Sequence, residues 1–194
     1  MNRRAGSAAT SYALRDRAGA TRSAQVGQIY FGDRKRKWVR FKSALTISKI
    51  CLATGARWSE AEELRDTQVK DGLIEYARTK SGKTRAVPID ERLEAEILDH
   101  AKKNGAAGRI FGYSISAFRE GVERAGLTLP DGQMTHVLRH TFASHFMMNG
   151  GNILTLRRVL GHANVTMTMR YSHLSPEHLQ EANNLNPLAR LTLG

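Results

Sequence analysis

The chain has a single cysteine, Cys51, among 194 residues. One thiol excludes an internal disulfide and fits a reducing compartment such as the cytoplasm. No apolar run reaches the length of a membrane-spanning helix, and the amino terminus lacks the apolar stretch of a secretory signal peptide. The sequence therefore predicts a cytoplasmic protein without a membrane partner.

Motifs that bind nucleotides or metals are also missing. The sequence contains no P-loop, no aspartate-rich metal box and no His-Glu-x-x-His pair. His136, His140 and His145 share one predicted helix, but no cysteine cluster or intervening carboxylate base accompanies them, so zinc is disfavoured. We predict no cofactor, and we interpret His140 and His145 as hydrogen-bonded structural histidines.

Acidic residues are scarce, because 18 Asp and Glu stand against 30 Lys and Arg and give a formal net charge of +12. Such an excess favours polyanions and salt-sensitive binding. Ribosomal and membrane-surface proteins share this balance, so charge alone supports nucleic-acid binding only modestly. The densest basic run is DRKRKWVRFK (residues 33–42), in which Lys35 and Lys37 are predicted DNA contacts.

The carboxyl-terminal part contains side chains suited to chemistry at phosphorus. His136 and Arg139 are three residues apart, so on a helix they share a face and can bind one phosphate. Tyr171 follows His162 by nine residues and offers a phenolic oxygen as nucleophile. His136 either takes the proton from Tyr171 or hydrogen-bonds the phosphate, and the sequence leaves both roles open.

A second arginine lies upstream in ATGARWSEAEELR (residues 53–65), where Arg57 lies just after Gly55, two residues on, at the start of a predicted helix. Two planar guanidinium groups suit a phosphodiester, because each can donate to both non-bridging oxygens. The pentavalent transition state carries more negative charge on these oxygens than the ground state does. Arg57 and Arg139 are therefore predicted to stabilise that charge together.

The segments TGARWSEAEEL, HVLRHTFASHF, LGH and T-x-x-Y-x-H, in this order and spacing, resemble the tyrosine recombinase (phage integrase) family. The resemblance to the integrases of temperate myophages is close and covers about residues 44–188. It implies a mainly α-helical catalytic domain with a small antiparallel β-sheet (α+β). It also implies site-specific recombination through a 3′-phosphotyrosyl intermediate, with Tyr171 as nucleophile. The implied catalytic residues are Arg57, Lys80, His136, Arg139, His162 and Tyr171.

The catalytic lysine is the open assignment of this set. The predicted hairpin reads LIEYARTKSGKTRAVPI (residues 73–89), and the family pattern places Lys80 in the role. Lys83, beyond the Gly82 turn, is also able to reach a DNA groove. A lysine near a phosphate can protonate the departing 5′-oxygen, so we assign that task to Lys80 and a DNA backbone contact to Lys83.

The chain divides unevenly. Residues 1–41 are basic and rich in Arg, Ser and Ala, which predicts a mobile or loosely packed extension. Residues 42–194 are the predicted catalytic domain with a C-terminal tail, and the core-binding domain of related integrases is expected to be absent. DNA binding should then be weak and poorly specific.

Local signals place several helix ends. Asp90 and Thr135 are predicted N-caps, Gly161 is a predicted helix end, and Ser175 is predicted to begin the last helix. Between these helix ends, apolar residues recur at helical spacing from Ala44 onward. The predicted hairpin is the one interruption of this spacing.

The expected partners follow from the resemblance. They are double-stranded DNA attachment sites, further copies of the chain in a tetramer on DNA, and accessory DNA-bending proteins. Two other interpretations remain: a truncated DNA-binding remnant that does not recombine, and a recombinase that resolves chromosome or plasmid dimers. A type IB topoisomerase shares the chemistry, but the motif details fit it less well.

Overall fold

The computed structural model describes residues 34–76 and 84–176, and of residues 34–36 it describes the backbone alone. In these ranges a small sheet lies between the second and third helices of the chain. The helices are α1 (Arg34–Thr54), α2 (Trp58–Glu62), α3 (Glu91–Asn104), α4 (Ile115–Arg124), α5 (His136–Met148), α6 (Ile153–Leu160) and α7 (Thr166–Met169). The strands are β1 (Val69–Lys70), β2 (Leu73–Tyr76) and β3 (Arg85–Pro88).

Helix α1 lies at the centre of the fold, where it packs against α2, α3, α4 and α5. Its inner face carries Ile47, Ile50 and Cys51, each with 0% of its surface exposed. The helix ends at Thr54 and Gly55, since Gly55 adopts a φ of 64°, which a residue with a side chain rarely does.

The predicted domain boundary between residues 41 and 42 has to be corrected, because α1 begins at Arg34 and the boundary falls inside it. The physical reason lies in α4. The Lys37 ammonium lies 3.7 Å from the Glu120 carboxylate, and Arg40 donates a hydrogen bond to the Ser116 hydroxyl. Residues 1–33 of the predicted extension lie outside the described residues.

The sheet is antiparallel with the order β1-β2-β3. A two-residue turn joins the first pair, with Asp71 at φ 54° and Gly72 at φ 71°, as hairpin turns require. Strands β2 and β3 pair from Leu73 opposite Pro88 to Tyr76 opposite Arg85. The predicted hairpin is therefore present at its base, and its tip, with Lys80 and Lys83, lies outside the described residues.

Most of the predicted helix ends agree with the structure. The Asp90 carboxylate accepts from the Leu93 N–H at 2.8 Å, and Gly161 ends α6 at a φ of 66°. Thr135 is the N-cap residue of α5, as predicted, although its side chain makes no capping hydrogen bond. The helix predicted to begin at Ser175 falls, from residue 177 onward, outside the described residues.

Two apolar clusters form the interior of the described residues. The larger cluster contains side chains from all five helices α1, α2, α3, α4 and α5 and from the sheet. The smaller contains Ala143, Met147, Leu156, Leu160 and Tyr171, so the predicted nucleophile belongs to the carboxyl-terminal packing. The mainly α-helical fold with a small antiparallel sheet is confirmed. Among the helices described, none is both long and apolar enough to cross a membrane.

Candidate active site

Arg139 is the buried centre of the site. Helix α5 places it in the interior, where 6% of its surface is exposed. Its Nη1 donates to the Gly55 carbonyl and its Nη2 to the Leu160 carbonyl, both at 2.6 Å. Burial, and then the charge of Arg57, lower the pKa of Arg139 to about 10, so it stays protonated at neutral pH.

Gly55 allows this close packing. A Cβ atom at Gly55 would lie 2.5 Å from Cδ1 of Phe142 and 2.6 Å from Cδ2 of Leu160. Because Gly55 has no side chain, the end of α1 can approach α5 and α6 closely. The Gly55 carbonyl is then near enough to accept a hydrogen bond from Arg139. The loop that follows carries Arg57 to the same place.

Arg57 lies at the start of α2 with its guanidinium directed to solvent, since 39% of its side chain is exposed. Its backbone N–H donates to Glu60 Oε2 at 2.8 Å, and its Nη1 donates to Oε1 at 3.1 Å. The carboxylate thus holds both the backbone and the side chain of Arg57. With 39% of the side chain exposed, the guanidinium is accessible to an incoming anion.

His162 is fixed by the end of α6. Its backbone N–H donates to the Arg157 carbonyl at 3.1 Å, in the turn closed by Gly161. Its Nδ1 lies 2.9 Å from the Thr168 hydroxyl. Burial, followed by the charges of Arg139 and Arg57, lowers the pKa of His162 to about 4, so the imidazole is neutral at pH 7.

Tyr171 follows α7 and has 5% of its surface exposed. Its hydroxyl lies 2.6 Å from Nδ1 of His140, and the two ring centroids are 5.9 Å apart. The sequence left open whether His136 takes the proton from Tyr171 or hydrogen-bonds the phosphate, and in the structure His136 occupies the exposed first residue of α5. His140 follows Arg139 directly, so only the packed structure could reveal which histidine meets the tyrosine.

Two residues that the sequence interpretation missed complete the site. Arg85 of β3 donates from Nη1 and Nη2 to the two oxygens of Glu60, at 3.1 and 2.7 Å. Burial by itself raises the pKa of Glu60, but the bonds and charges of Arg85 and Arg57 outweigh burial and lower the pKa to about 2. The spacing of Glu60, three residues after Arg57 on a predicted helix, was the available signal.

Arg85 also joins the hairpin to the end of α6. Its guanidinium lies over the Tyr76 ring at 4.4 Å from the centroid. A Cβ atom at Gly161 would lie 3.3 Å from the Arg85 side chain. The guanidinium groups of Arg57 and Arg85 therefore share the carboxylate of Glu60. Arg139 is close enough for the charges of all three groups to affect its pKa, and the surplus positive charge suits a phosphate.

Comparisons with known proteins agree with this geometry. The family model described as "Phage integrase family" matches residues 114–178. The solved catalytic domain of bacteriophage HP1 integrase is 45% identical, with a TM-score of 0.69 over 84% of this chain and 98% of that one. This chain belongs to the phage integrase family. The sequence-based resemblance is therefore confirmed.

Curated members of the family differ in their sequence identity to this chain. The integrase of Escherichia phage 186 is 56% identical over 147 residues, which are 76% of this chain and 42% of the relative. The tyrosine recombinase XerD of Mycobacterium tuberculosis (strain CDC 1551 / Oshkosh) is 32% identical over 157 residues, 70% of this chain and 49% of the relative. The chain thus spans less than half the length of these curated relatives.

Some predicted residues of this family member have no described position. Lys80 and Lys83 lie outside the described residues, as does the side chain of Lys35. Lys37 is paired with Glu120, so part of its charge is used within the fold. Within residues 34–76 and 84–176, no three His, Cys, Asp or Glu side chains come together in a way that could hold a metal ion.

Proposed function

We propose that this chain is the catalytic domain of a site-specific DNA recombinase that integrates and excises phage or prophage DNA. The observation that carries the proposal is the position of Arg139. Its guanidinium bonds the carbonyls of Gly55 and Leu160, which lie two residues before Arg57 and His162. Three segments that are distant in the sequence therefore meet at one buried cation.

In the proposed reaction, Arg57 and Arg139 bind the two non-bridging oxygens of the scissile phosphate. Arg139 stays charged at neutral pH, and the repulsion between the two guanidinium groups is relieved when an anion binds between them. His162 is neutral, so with Thr168 donating to Nδ1 its Nε2–H is a hydrogen-bond donor to the phosphate. His136, exposed at the start of α5, is a further phosphate ligand.

The Tyr171 hydroxyl then loses its proton to a base while its oxygen attacks phosphorus, and the bond from phosphorus to the 5′-oxygen breaks. The products are a 3′-phosphotyrosyl link and a free 5′-hydroxyl, whose proton comes from Lys80. The new phosphodiester keeps the energy of the old one, so religation needs no nucleotide. The proposed reaction uses no metal, because the cationic side chains stabilise the transition-state charge.

The proposed substrate is a pair of double-stranded DNA attachment sites in the bacterial cytoplasm. Lys35, Lys37 and Lys83 are proposed contacts to the DNA backbone, and the active complex is a tetramer assisted by DNA-bending proteins. Integration is favoured over resolution of chromosome dimers, because identity is 56% to the phage 186 integrase and 32% to XerD.

Covalent capture tests this proposal. The protein is incubated with a nicked suicide substrate that carries a candidate attachment core, and denaturing gels reveal protein attached to DNA. We expect an adduct with the wild type and none with Tyr171→Phe, which removes the nucleophilic oxygen but little contact area. DNA affinity of the variant should stay within a few fold.

The controls separate the alternatives. An adduct that persists in Tyr171→Phe would show that another residue is the nucleophile. Wild-type protein that binds DNA yet forms no adduct would identify a DNA-binding remnant instead.

A further inference from the structure

The Tyr171 hydroxyl has to lose a proton when its oxygen attacks phosphorus. A phenol with an ordinary pKa near ~10 is almost fully protonated at neutral pH, so a base beside the oxygen speeds the attack. The sequence offered His136 for this task. The geometry offers a different residue.

His140 is in hydrogen-bond contact with the reacting oxygen. Its Nδ1 lies 2.6 Å from the Tyr171 hydroxyl, inside the range expected of a general base and its proton donor. The rings meet at 48°, and helix α5 holds His140 rigidly beside Arg139. The candidate base is therefore placed on the same helix as a phosphate ligand.

The surroundings of His140 keep it able to accept a proton. Burial, followed by the charges of Arg170, His136 and Arg139, lowers the pKa of His140 below its ordinary value. The imidazole is thus neutral at pH 7, and the tyrosine hydroxyl is able to donate to it. When a phosphate dianion or diester binds the arginines, its negative charge offsets theirs and increases the basicity of His140.

We propose that His140 is the general base of the cleavage step, an inference that rests on the proposed recombinase function. The proton moves from the Tyr171 oxygen to Nδ1 of His140 while the oxygen-phosphorus bond forms and the bond to the 5′-oxygen breaks. Lys80 protonates that 5′-oxygen. In religation Lys80 takes the proton of the 5′-hydroxyl as its oxygen attacks phosphorus, the phosphotyrosyl bond breaks, and His140 returns its proton to Tyr171.

The test compares His140→Gln with His145→Gln. Glutamine keeps a polar side chain of similar reach but cannot take a proton at neutral pH, and His145 is an exposed histidine on the same helix. Single-turnover adduct formation is measured at saturating suicide substrate between pH 5 and 9, together with DNA affinity and melting temperature. We expect His140→Gln to be slower by at least ~10² at pH 7, the lower end for loss of a general base. His145→Gln should match the wild type.

A more acidic phenol distinguishes a base from a structural contact. Replacing Tyr171 by 3,5-difluorotyrosine makes the nucleophile ionise nearer neutral pH, so it should restore much of the rate in His140→Gln and add little in the wild type. Loss of rate without this rescue would show that His140 only supports the fold.

The remaining outcomes are also decisive. Wild-type rates in His140→Gln would exclude His140 as the base while leaving the recombinase function intact. Faster cleavage in His140→Gln would show that the hydrogen bond restrains Tyr171, which also overturns the proposal. If wild-type protein forms no adduct, the recombinase function fails and the general-base role fails with it.

Discussion

Burial separates two arginines that the sequence treats as equivalent. Arg139 has 6% of its surface exposed and bonds two backbone carbonyls. The side chain of Arg57 is 39% exposed and pairs with Glu60. The same guanidinium group is therefore part of the interior at one position and a solvent-facing ligand at the other.

Alanine substitutions should reveal this difference. Arg57→Ala and Arg139→Ala should each slow adduct formation by at least ~10², because each removes a transition-state donor. Arg139→Ala should also lower the free energy of unfolding by about 1 to 3 kcal/mol, since the carbonyls of Gly55 and Leu160 lose their partner. Arg57→Ala should cost less than ~1 kcal/mol.

Single-turnover cleavage and urea unfolding measure the two effects. Lysine at either position should restore only part of the rate, because it lacks the planar fork. Equal losses of stability in the two alanine variants would contradict the structural role of Arg139, and full activity in either would contradict the phosphate-binding role.

His162 should make stability depend on pH. Its pKa is lowered to about 4 in the folded protein, chiefly by burial, whereas an unfolded histidine titrates near ~6.5. Between these values the unfolded chain binds the proton more readily, so stability is highest above pH 7 and falls as the pH drops towards 4. The loss stops below the folded pKa.

Melting curves from pH 7.5 to 4 test this dependence on DNA-free protein. His162→Asn keeps an oxygen able to accept from Thr168 but does not titrate, so its melting temperature should fall less over this range. His173, an exposed histidine, serves as control through His173→Asn. Identical slopes for wild type and His162→Asn would disprove the linkage.

At the scale of elements, the end of α1 depends on a glycine for two reasons. Gly55 and Gly126 both have a φ of 64°, so a side chain strains the backbone at either position. Only at Gly55 does a new Cβ atom collide with neighbours, at 2.5 Å from Phe142 and 2.6 Å from Leu160, while Gly126 has open space. The two glycines therefore form a matched pair.

Gly126→Ala should cost about 1 kcal/mol for the left-handed backbone. Gly55→Ala should cost about 1 to 3 kcal/mol more, because α1, α5 and α6 have to move apart. The Gly55→Ala substitution should also slow cleavage, since the Gly55 carbonyl accepts the hydrogen bond that positions Arg139. Urea unfolding of both variants measures the difference. Equal costs would show that the contacts at Gly55 can relax.

The boundaries of the helices and strands show which structural features a few adjacent residues can predict. The Asp90 cap, the Gly161 stop and the antiparallel hairpin were predicted correctly, because each depends on a few adjacent residues. The predicted start of the catalytic domain, at residue 42, lies eight residues after the first residue of α1. The first turns of α1 are stabilised by Glu120 and Ser116 of α4, 76 or more residues away, and composition cannot identify such partners.

For the whole molecule, the corrected start of α1 changes the expected effect of truncation. A deletion ending at residue 33 keeps the described helix, whereas one ending at residue 41 removes eight of its residues. The longer deletion loses the Lys37 pair with Glu120, the Arg40 bond to Ser116 and the partly buried Phe41. It should therefore be less stable than the shorter one.

The expected difference is about 1 to 3 kcal/mol, mainly from the apolar surface of Phe41. Affinities for attachment-site DNA and random DNA should fall by similar factors between the two deletions, with a shallower salt slope, because basic side chains are lost. Melting curves and binding titrations at several salt concentrations measure both effects. Equal melting temperatures would place residues 34–41 outside the cooperative fold.

The sequence by itself determined the family, the fold class and the residue types of the site. Arg57, Arg139, His162 and Tyr171 are recognisable because their motifs are short and local. The catalytic roles assigned to them stay predictions until cleavage is measured.

Only the tertiary structure decided which groups touch. It placed His140 against Tyr171, used Glu60 to join Arg85 with Arg57, and tied Arg139 to the segments around Gly55 and Leu160. These contacts join residues up to 84 positions apart and depend on packing distances of a few ångströms. Helical periodicity gives the face on which a side chain lies, but the partner it meets there is fixed by how the helices pack.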